Sequence, residues 1–145
     1  MPFSRPTAVL FVCNLNRVRS PMAAALMRRR YGESIGVDSC GLAPAESVDP
    51  FAIAVIDEIG VDLSAHEPKS FDAVKDHPFD LVVSLTPETH EQAAELSRGR
   101  GVDFEYWPVA DPTLAEGARE QRIEAYRETR ETLDRLIQDR FGPTP

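Results

Sequence analysis

Apolar and polar residues come in alternating blocks along this chain. Ala8-Val9-Leu10-Phe11-Val12 is a continuous apolar run, the pattern of a strand covered on both faces. Ile35 to Cys40, Leu81 to Leu85 and Phe104 to Val109 read as three further strands. Helical patterns fall between them. Ser20-Pro21 reads as an N-cap followed by proline at the first helical position, with Ala23, Leu26, Met27 and Tyr31 facing the core and Gly32 closing the helix. Asp49-Pro50 opens a second helix in the same way, with Ala52, Val55, Ile56 and Ile59 on one stripe and Gly60 after it. Thr86-Pro87 opens a third, running to about Arg98. The polar stretch from Glu116 to Phe141 carries a sparse stripe of Ile123, Tyr126, Leu133, Ile137 and Phe141, with Glu131 and Arg135 spaced for an i, i+4 pair. Gly142 to Pro145 reads as a loose tail.

Strands alternating with helices predict an α/β fold, with right-handed crossovers and a mostly parallel sheet covered by helices on both faces. Ligands of such sheets bind beyond the carboxyl ends of the strands. The loops that matter are therefore Cys13 to Ser20, Gly41 to Val48, Thr86 onward, and Ala110 to Ala115.

Composition narrows the class. At 145 residues the chain is expected to form a single domain spanning 1–145. A net charge of −8 argues against nonspecific binding to nucleic acid or to an anionic membrane. The run Ala8 to Cys13 is too short for a signal segment or a membrane span. Two cysteines, Cys13 and Cys40, cannot form a disulfide framework and read as reduced thiols of a cytoplasmic protein. The expected state is a monomer. The charge is unevenly placed: the first 30 residues hold Arg5, Arg17, Arg19, Arg28, Arg29 and Arg30 and no acid. This basic pole on an acidic protein suggests a local anion site, although Arg28 to Arg30 also read as cations solvating a helix end.

The loop Cys13-Asn14-Leu15-Asn16-Arg17-Val18-Arg19-Ser20 joins the first strand to the first helix. A loop of this length can turn several backbone N–H groups inward, and with the helix dipole behind them they form a nest for a tetrahedral oxyanion. The same field is expected to favour negative charge on the Cys13 sulfur. Cys13 would then be a thiolate aimed at phosphorus. Arg19 offers a planar fork for two phosphoryl oxygens. Ser20 can cap the helix and hydrogen-bond the sulfur. The plain alternative is a buried cysteine at a strand end beside two solvated arginines.

Val9-Leu10-Phe11-Val12-Cys13, Asn16 and Arg19-Ser20-Pro21-Met22-Ala23 resemble the low-molecular-weight protein tyrosine phosphatase family, and the likeness covers nearly the whole chain. Asp38-Ser39, Asp49-Pro50, Ser64-Ala65-His66 and Asp111-Pro112 resemble later motifs of that family. The resemblance implies a three-layer fold with a four-stranded parallel sheet in the order 2-1-3-4. It implies phosphocysteine chemistry on a phosphate monoester, a phosphotyrosine protein among the candidates, without metal or cofactor. Cys13 and Arg19 would be catalytic and Asp111 the general acid. Residues 14–20 would hold the phosphate, and Asn16, Ser20, Ser39 and His66 would support the loop.

The chain departs from the family pattern at several points. Leu15 stands where the family usually has glycine, so the backbone there must avoid glycine-only angles. Val18 replaces a cysteine that can protect the nucleophile, and Arg17 adds a charge that nothing in its spacing aims inward. Thr113 and Leu114 follow Asp111-Pro112 in place of ring-flanking aromatics, and Gly41 to Val48 contains no aromatic residue. Tyr106 and Trp107 read as core. Trp107 to Pro112, Glu116-Gly117 and the Arg-Glu-rich last helix resemble the arsenate reductase branch of the fold. Reduction there needs a resolving thiol. Cys40 reads as buried and inert, so that thiol would come from outside. A phosphate-binding regulatory module with little turnover is the third reading.

Overall fold

The computed structural model describes residues 6–98 and 101–142; Arg5 and the tail beyond Gly142 lie outside the described residues. Strands β1 (Ala8–Cys13), β2 (Gly36–Gly41), β3 (Leu81–Ser84) and β4 (Asp103–Tyr106) alternate with helices α1 (Arg19–Tyr31), α2 (Pro50–Asp57), α3 (Pro87–Ser97) and α4 (Arg119–Phe141). All strand pairs are parallel and the sheet order is β2-β1-β3-β4, as expected.

β1 lies inside the sheet, and its alternate side chains serve two layers. Val9 and Phe11 join Met22, Leu26 and Met27 of α1, Val55 and Ile56 of α2, and Leu133 and Ile137 of α4. Leu10 and Val12 face the other way, with Val82, Cys40, Val74 and Ala93 of α3. An unbroken apolar run is what a strand buried on both faces requires. β4 is one of the two edge strands and carries Asp103 and Glu105, charges that discourage pairing with a further strand. It stops at Tyr106, short of the expected Val109, because Pro108 has no N–H for the ladder; Trp107 and Val109 still donate to the Ser84 and Leu85 carbonyls at 2.8 and 3.2 Å.

Two expectations for these elements need correction. Ser20 is not the cap of α1: Val18 holds that position without a side-chain bond, and Ser20 lies in the first turn with its hydroxyl engaged elsewhere. Tyr106 is exposed, its ring edge-on to His90 at 4.9 Å, because the last residue of an edge strand points out of the sheet. Trp107 is core, packed on Phe11 and Phe141. Asp49 does cap α2, accepting from the Phe51 N–H at 2.7 Å. The α4 stripe is buried as expected, with Thr129 added to it.

Ion pairs lock the helices on one face. Arg30 on α1 grips Asp134 on α4 with two bonds of 2.7 and 2.8 Å. Glu58, at the end of α2, accepts from Arg127 and Arg130 of α4, and Arg130 pairs with Glu131, so Glu131 is not used by Arg135. Hydrogen bonds from the two guanidiniums hold the Glu58 carboxyl down at about 2, against an ordinary 4.5. A depressed folded-state pKa contributes stability above the unfolded value and loses it as pH falls toward the folded one. Stability of the wild type should therefore decline between pH 4.5 and about 2, and Glu58→Gln should flatten that part of the curve in acid-unfolding titrations. Equal slopes for the two proteins would remove Glu58 from the acid response.

Candidate active site

The loop after β1 is shaped by where its carbonyls go. Cys13 O accepts from the Leu42 N–H (3.2 Å), Asn14 O from Ala43 (2.8 Å), Leu15 O from Ala45 (2.9 Å) and Arg17 O from Asp49 (3.0 Å). The Asn16 carbonyl accepts from His66 Nε2 at 2.9 Å. Five successive carbonyls are thus bonded to the surrounding frame. No peptide among the described residues is cis, so each following N–H points the opposite way, toward the loop's interior. The loop backbone thus has the shape an oxyanion nest requires, at the N-terminus of α1.

Asn16 holds the loop's curvature. It is fully buried, and its φ of +53° makes it the one non-glycine left-handed residue among those described. Its Nδ2 donates to Ser20 Oγ (2.8 Å) and Ser39 Oγ (3.0 Å), and its Oδ1 accepts from the Lys69 N–H (2.9 Å). A buried amide with all its bonds made specifies one loop geometry. His66 bonds a carbonyl, so its Nε2 must carry the proton; burial, the strongest influence on it, lowers its pKa and favours the neutral ring. The structure therefore gathers Asn16, Ser20, Ser39 and His66 into one network. Leu15 keeps out of the left-handed region and stands 43% exposed at the rim.

Cys13 Sγ lies inside this frame, 2% exposed, with Ser20 Oγ at 2.8 Å and the Asn16 N–H at 3.3 Å. Because Ser20 Oγ accepts from Asn16, its own proton is left for the sulfur. Both donors stabilise negative charge on Sγ.

Asp111 reaches the same place from the loop after β4. Its Oδ1 accepts from the Thr113 N–H and hydroxyl at 2.9 and 2.7 Å, capping the short turn Pro112–Leu114. Its Oδ2 faces Arg19 at 3.8 Å, and Arg19 also donates to the Val109 carbonyl at 2.9 Å. Cys13, Leu15, Arg17, Val18, Arg19, Asp111 and Thr113 line one cavity of about 120 Å³. A larger concavity of about 770 Å³ lies behind the loop beside His66 and Arg28, away from the Cys13 sulfur.

Four features of the site escaped the sequence reading. Gly41 faces the loop so closely that a Cβ there would stand 2.8 Å from Asn16 N and 2.9 Å from Asn14 O; its place at the carboxyl end of β2 was the available signal. The Lys69 N–H reaches Asn16 from a loop that no pattern marked. Tyr126, read as a core stripe residue, donates its hydroxyl to Asp49 at 2.9 Å. Arg17, placed in the loop but with nothing in its spacing to aim its side chain inward, lines the cavity. Cys40 is buried, and burial pushes its thiol up to about 12, which makes it unreactive.

A parallel sheet in the order 2-1-3-4, with a cysteine loop at the carboxyl end of its second position and an Asp-Pro loop over it, defines the class. The chain belongs to the low molecular weight phosphotyrosine protein phosphatase family, whose profile matches residues 8–140. Among curated relatives it is 28% identical over 136 residues to an arsenate reductase of Bacillus licheniformis, covering 94% of this chain and 95% of that one. It is 30% identical over 138 residues to a glutaredoxin arsenate reductase of Synechocystis sp., covering 90% and 93%. A low molecular weight protein tyrosine phosphatase from T. tengcongensis superposes with a TM-score of 0.73 at 26% identity, covering 91% of this chain and 95% of that one.

Proposed function

We propose that this chain, acting as one domain over residues 1–145, is a cysteine-dependent phosphatase that hydrolyses phosphate monoesters, aryl phosphates or phosphotyrosine in proteins among them. The observation that supports it most strongly is the loop whose carbonyls are bonded outward while the Asn16 N–H stands 3.3 Å from the Cys13 sulfur. The Cys13 thiolate attacks phosphorus in line, forming the S–P bond as the P–O bond to the leaving group breaks. Asp111 gives its proton to the departing oxygen. It then takes a proton from the water that cleaves the S–P bond, releasing inorganic phosphate and the thiolate. The nest and Arg19 hold the equatorial oxygens, whose charge is best met in the transition state. No resident metal or cofactor enters this scheme. Reduced thiols fit a cytoplasmic setting, and no helix among the described residues is long and apolar enough to cross a membrane.

Arsenate reduction is the second reading, favoured by the names of the relatives. The nest would hold arsenate as it holds phosphate, Cys13 would form the arsenic adduct, and two electrons would come from thiols. With Cys40 buried, the resolving thiol must be supplied from outside, as a small thiol or a glutaredoxin. The deciding experiment assays aryl phosphate hydrolysis and thiol-dependent arsenate reduction side by side, with Cys13→Ser as control. Hydrolysis that depends on Cys13, with no arsenate-dependent thiol oxidation, supports the phosphatase. The reverse pattern assigns the reductase, and anion binding with neither activity assigns a binding module.

Arg19 should be sensitive to shape as well as charge. Its carbonyl bond to Val109 keeps the guanidinium plane at the cavity edge. Arg19→Lys keeps the charge but loses the fork, so kcat and phosphate affinity should both fall, by about tenfold or more. Unchanged constants in steady-state kinetics would count against the assignment.

A further inference from the structure

Arg17 is the one cation of the cavity lining that the phosphoryl-transfer scheme leaves without a task. Its side chain is about one-third exposed, and its nearest acid is Asp49, with Nη2 3.9 Å from Oδ2. That spacing is longer than a hydrogen bond. Both Asp49 oxygens are already engaged, Oδ1 by the Phe51 N–H at 2.7 Å and Oδ2 by the Tyr126 hydroxyl at 2.9 Å. Asp49 therefore holds Arg17 in place electrostatically without saturating its donors. Arg17 Nε is buried and has no hydrogen-bond partner. A buried donor left without a partner destabilises a free protein and is a reason to accept an anionic ligand.

The rest of the mouth explains what this cation would select. Trp107 is in the core, Tyr106 is turned toward His90, and Tyr126 is buried on Asp49, so none of these rings is offered to a substrate. Leu15 and Thr113 are the other mouth residues, neither of which stacks on an aromatic group. Charge, not ring stacking, is the recognition this opening presents.

We propose that Arg17 is a specificity-determining residue that adds a second anion subsite beside the nest. The favoured substrate is then a phosphate monoester bearing a further negative group, a carboxylate or second phosphate, close to the ester. The inference rests on the phosphate-ester reading above. In this arrangement the nest and Arg19 take the reacting phosphoryl group, and the fork of Arg17 takes the second group while Asp49 keeps its bonds to Phe51 and Tyr126.

Binding of unreactive phosphonates tests this apart from turnover. Phenylphosphonate and 3-carboxyphenylphosphonate are titrated calorimetrically into the wild type, Arg17→Gln and Arg17→Lys. The wild type should bind the carboxylated compound about tenfold more tightly, by a charge-assisted bond. Arg17→Gln should bring the ratio close to one, and Arg17→Lys should restore part of it. Equal affinities in the wild type, or a ratio that survives in Arg17→Gln, overturn the inference and leave the phosphate site standing. If neither phosphonate binds, the phosphate-ester reading fails and the subsite fails with it.

Discussion

Replacing Cys13 by serine is expected to remove turnover, by about 10⁴-fold or more, while leaving anion binding in place. The nucleophile in this chemistry is a sulfur anion, and the frame around position 13 is built to hold one. Ser20 Oγ and the Asn16 N–H donate to that atom, and no group that could act as a base is bonded to it. A serine hydroxyl in the same place keeps the nest's shape but has nothing to take its proton. The N–H groups that would bind phosphate belong to the backbone, so their geometry is held by the outward carbonyl bonds and survives the exchange. Phosphate and vanadate-like anions should therefore bind the variant with affinity close to the wild type. Rapid acid quench of the wild type during turnover should trap phosphate on Cys13. Wild-type hydrolysis by Cys13→Ser would overturn the covalent mechanism.

Asp111→Asn should lower kcat by roughly 10²–10⁴ on phenyl or alkyl phosphates, the usual worth of general acid–base help. The carboxylate is well placed for it. Oδ1 is tied to Thr113, which fixes the side chain's direction, and Pro112 restricts the Asp111 backbone to an extended form, observed at φ −83° and ψ 110°. Oδ2 is the oxygen left facing the cavity and Arg19. The loss should shrink for an acidic leaving group such as nitrophenol, which departs without a proton. It should then reappear as accumulated phosphoenzyme, because the same carboxylate activates the hydrolytic water. A leaving-group series for both proteins is the measurement. Parallel dependence on leaving-group pKa would take Asp111 out of the acid role.

The order of elements was legible because each is marked by a local rule. The apolar run at Ala8 to Val12 demands burial on both faces, and Asp49-Pro50 and Thr86-Pro87 open helices in the structure as they do in the sequence. The shape of the loop was legible for the same reason, since Cys13 and Arg19 stand at the two ends of one short segment and a left-handed Asn16 is a local preference.

What remained hidden depends on contacts between distant segments. Ser20 bonds the Cys13 sulfur as expected, but the cap expected of it falls to Val18, because its hydroxyl is held between Cys13 and an Asn16 that Ser39 and Lys69 fix from distant segments. Gly41 is required by a backbone approach across two strand ends, which a single chain position does not announce. Arg17 has no inward signal in its spacing. It lines the cavity because its carbonyl is fastened to the N–H of Asp49, the cap of α2, and its guanidinium stands beside the Asp49 carboxylate. Local preferences set by φ and hydrophobic period reach a few residues along the chain. The direction of a loop side chain is set by which distant donors and charges the sheet order brings beside it, and that only the folded structure decides.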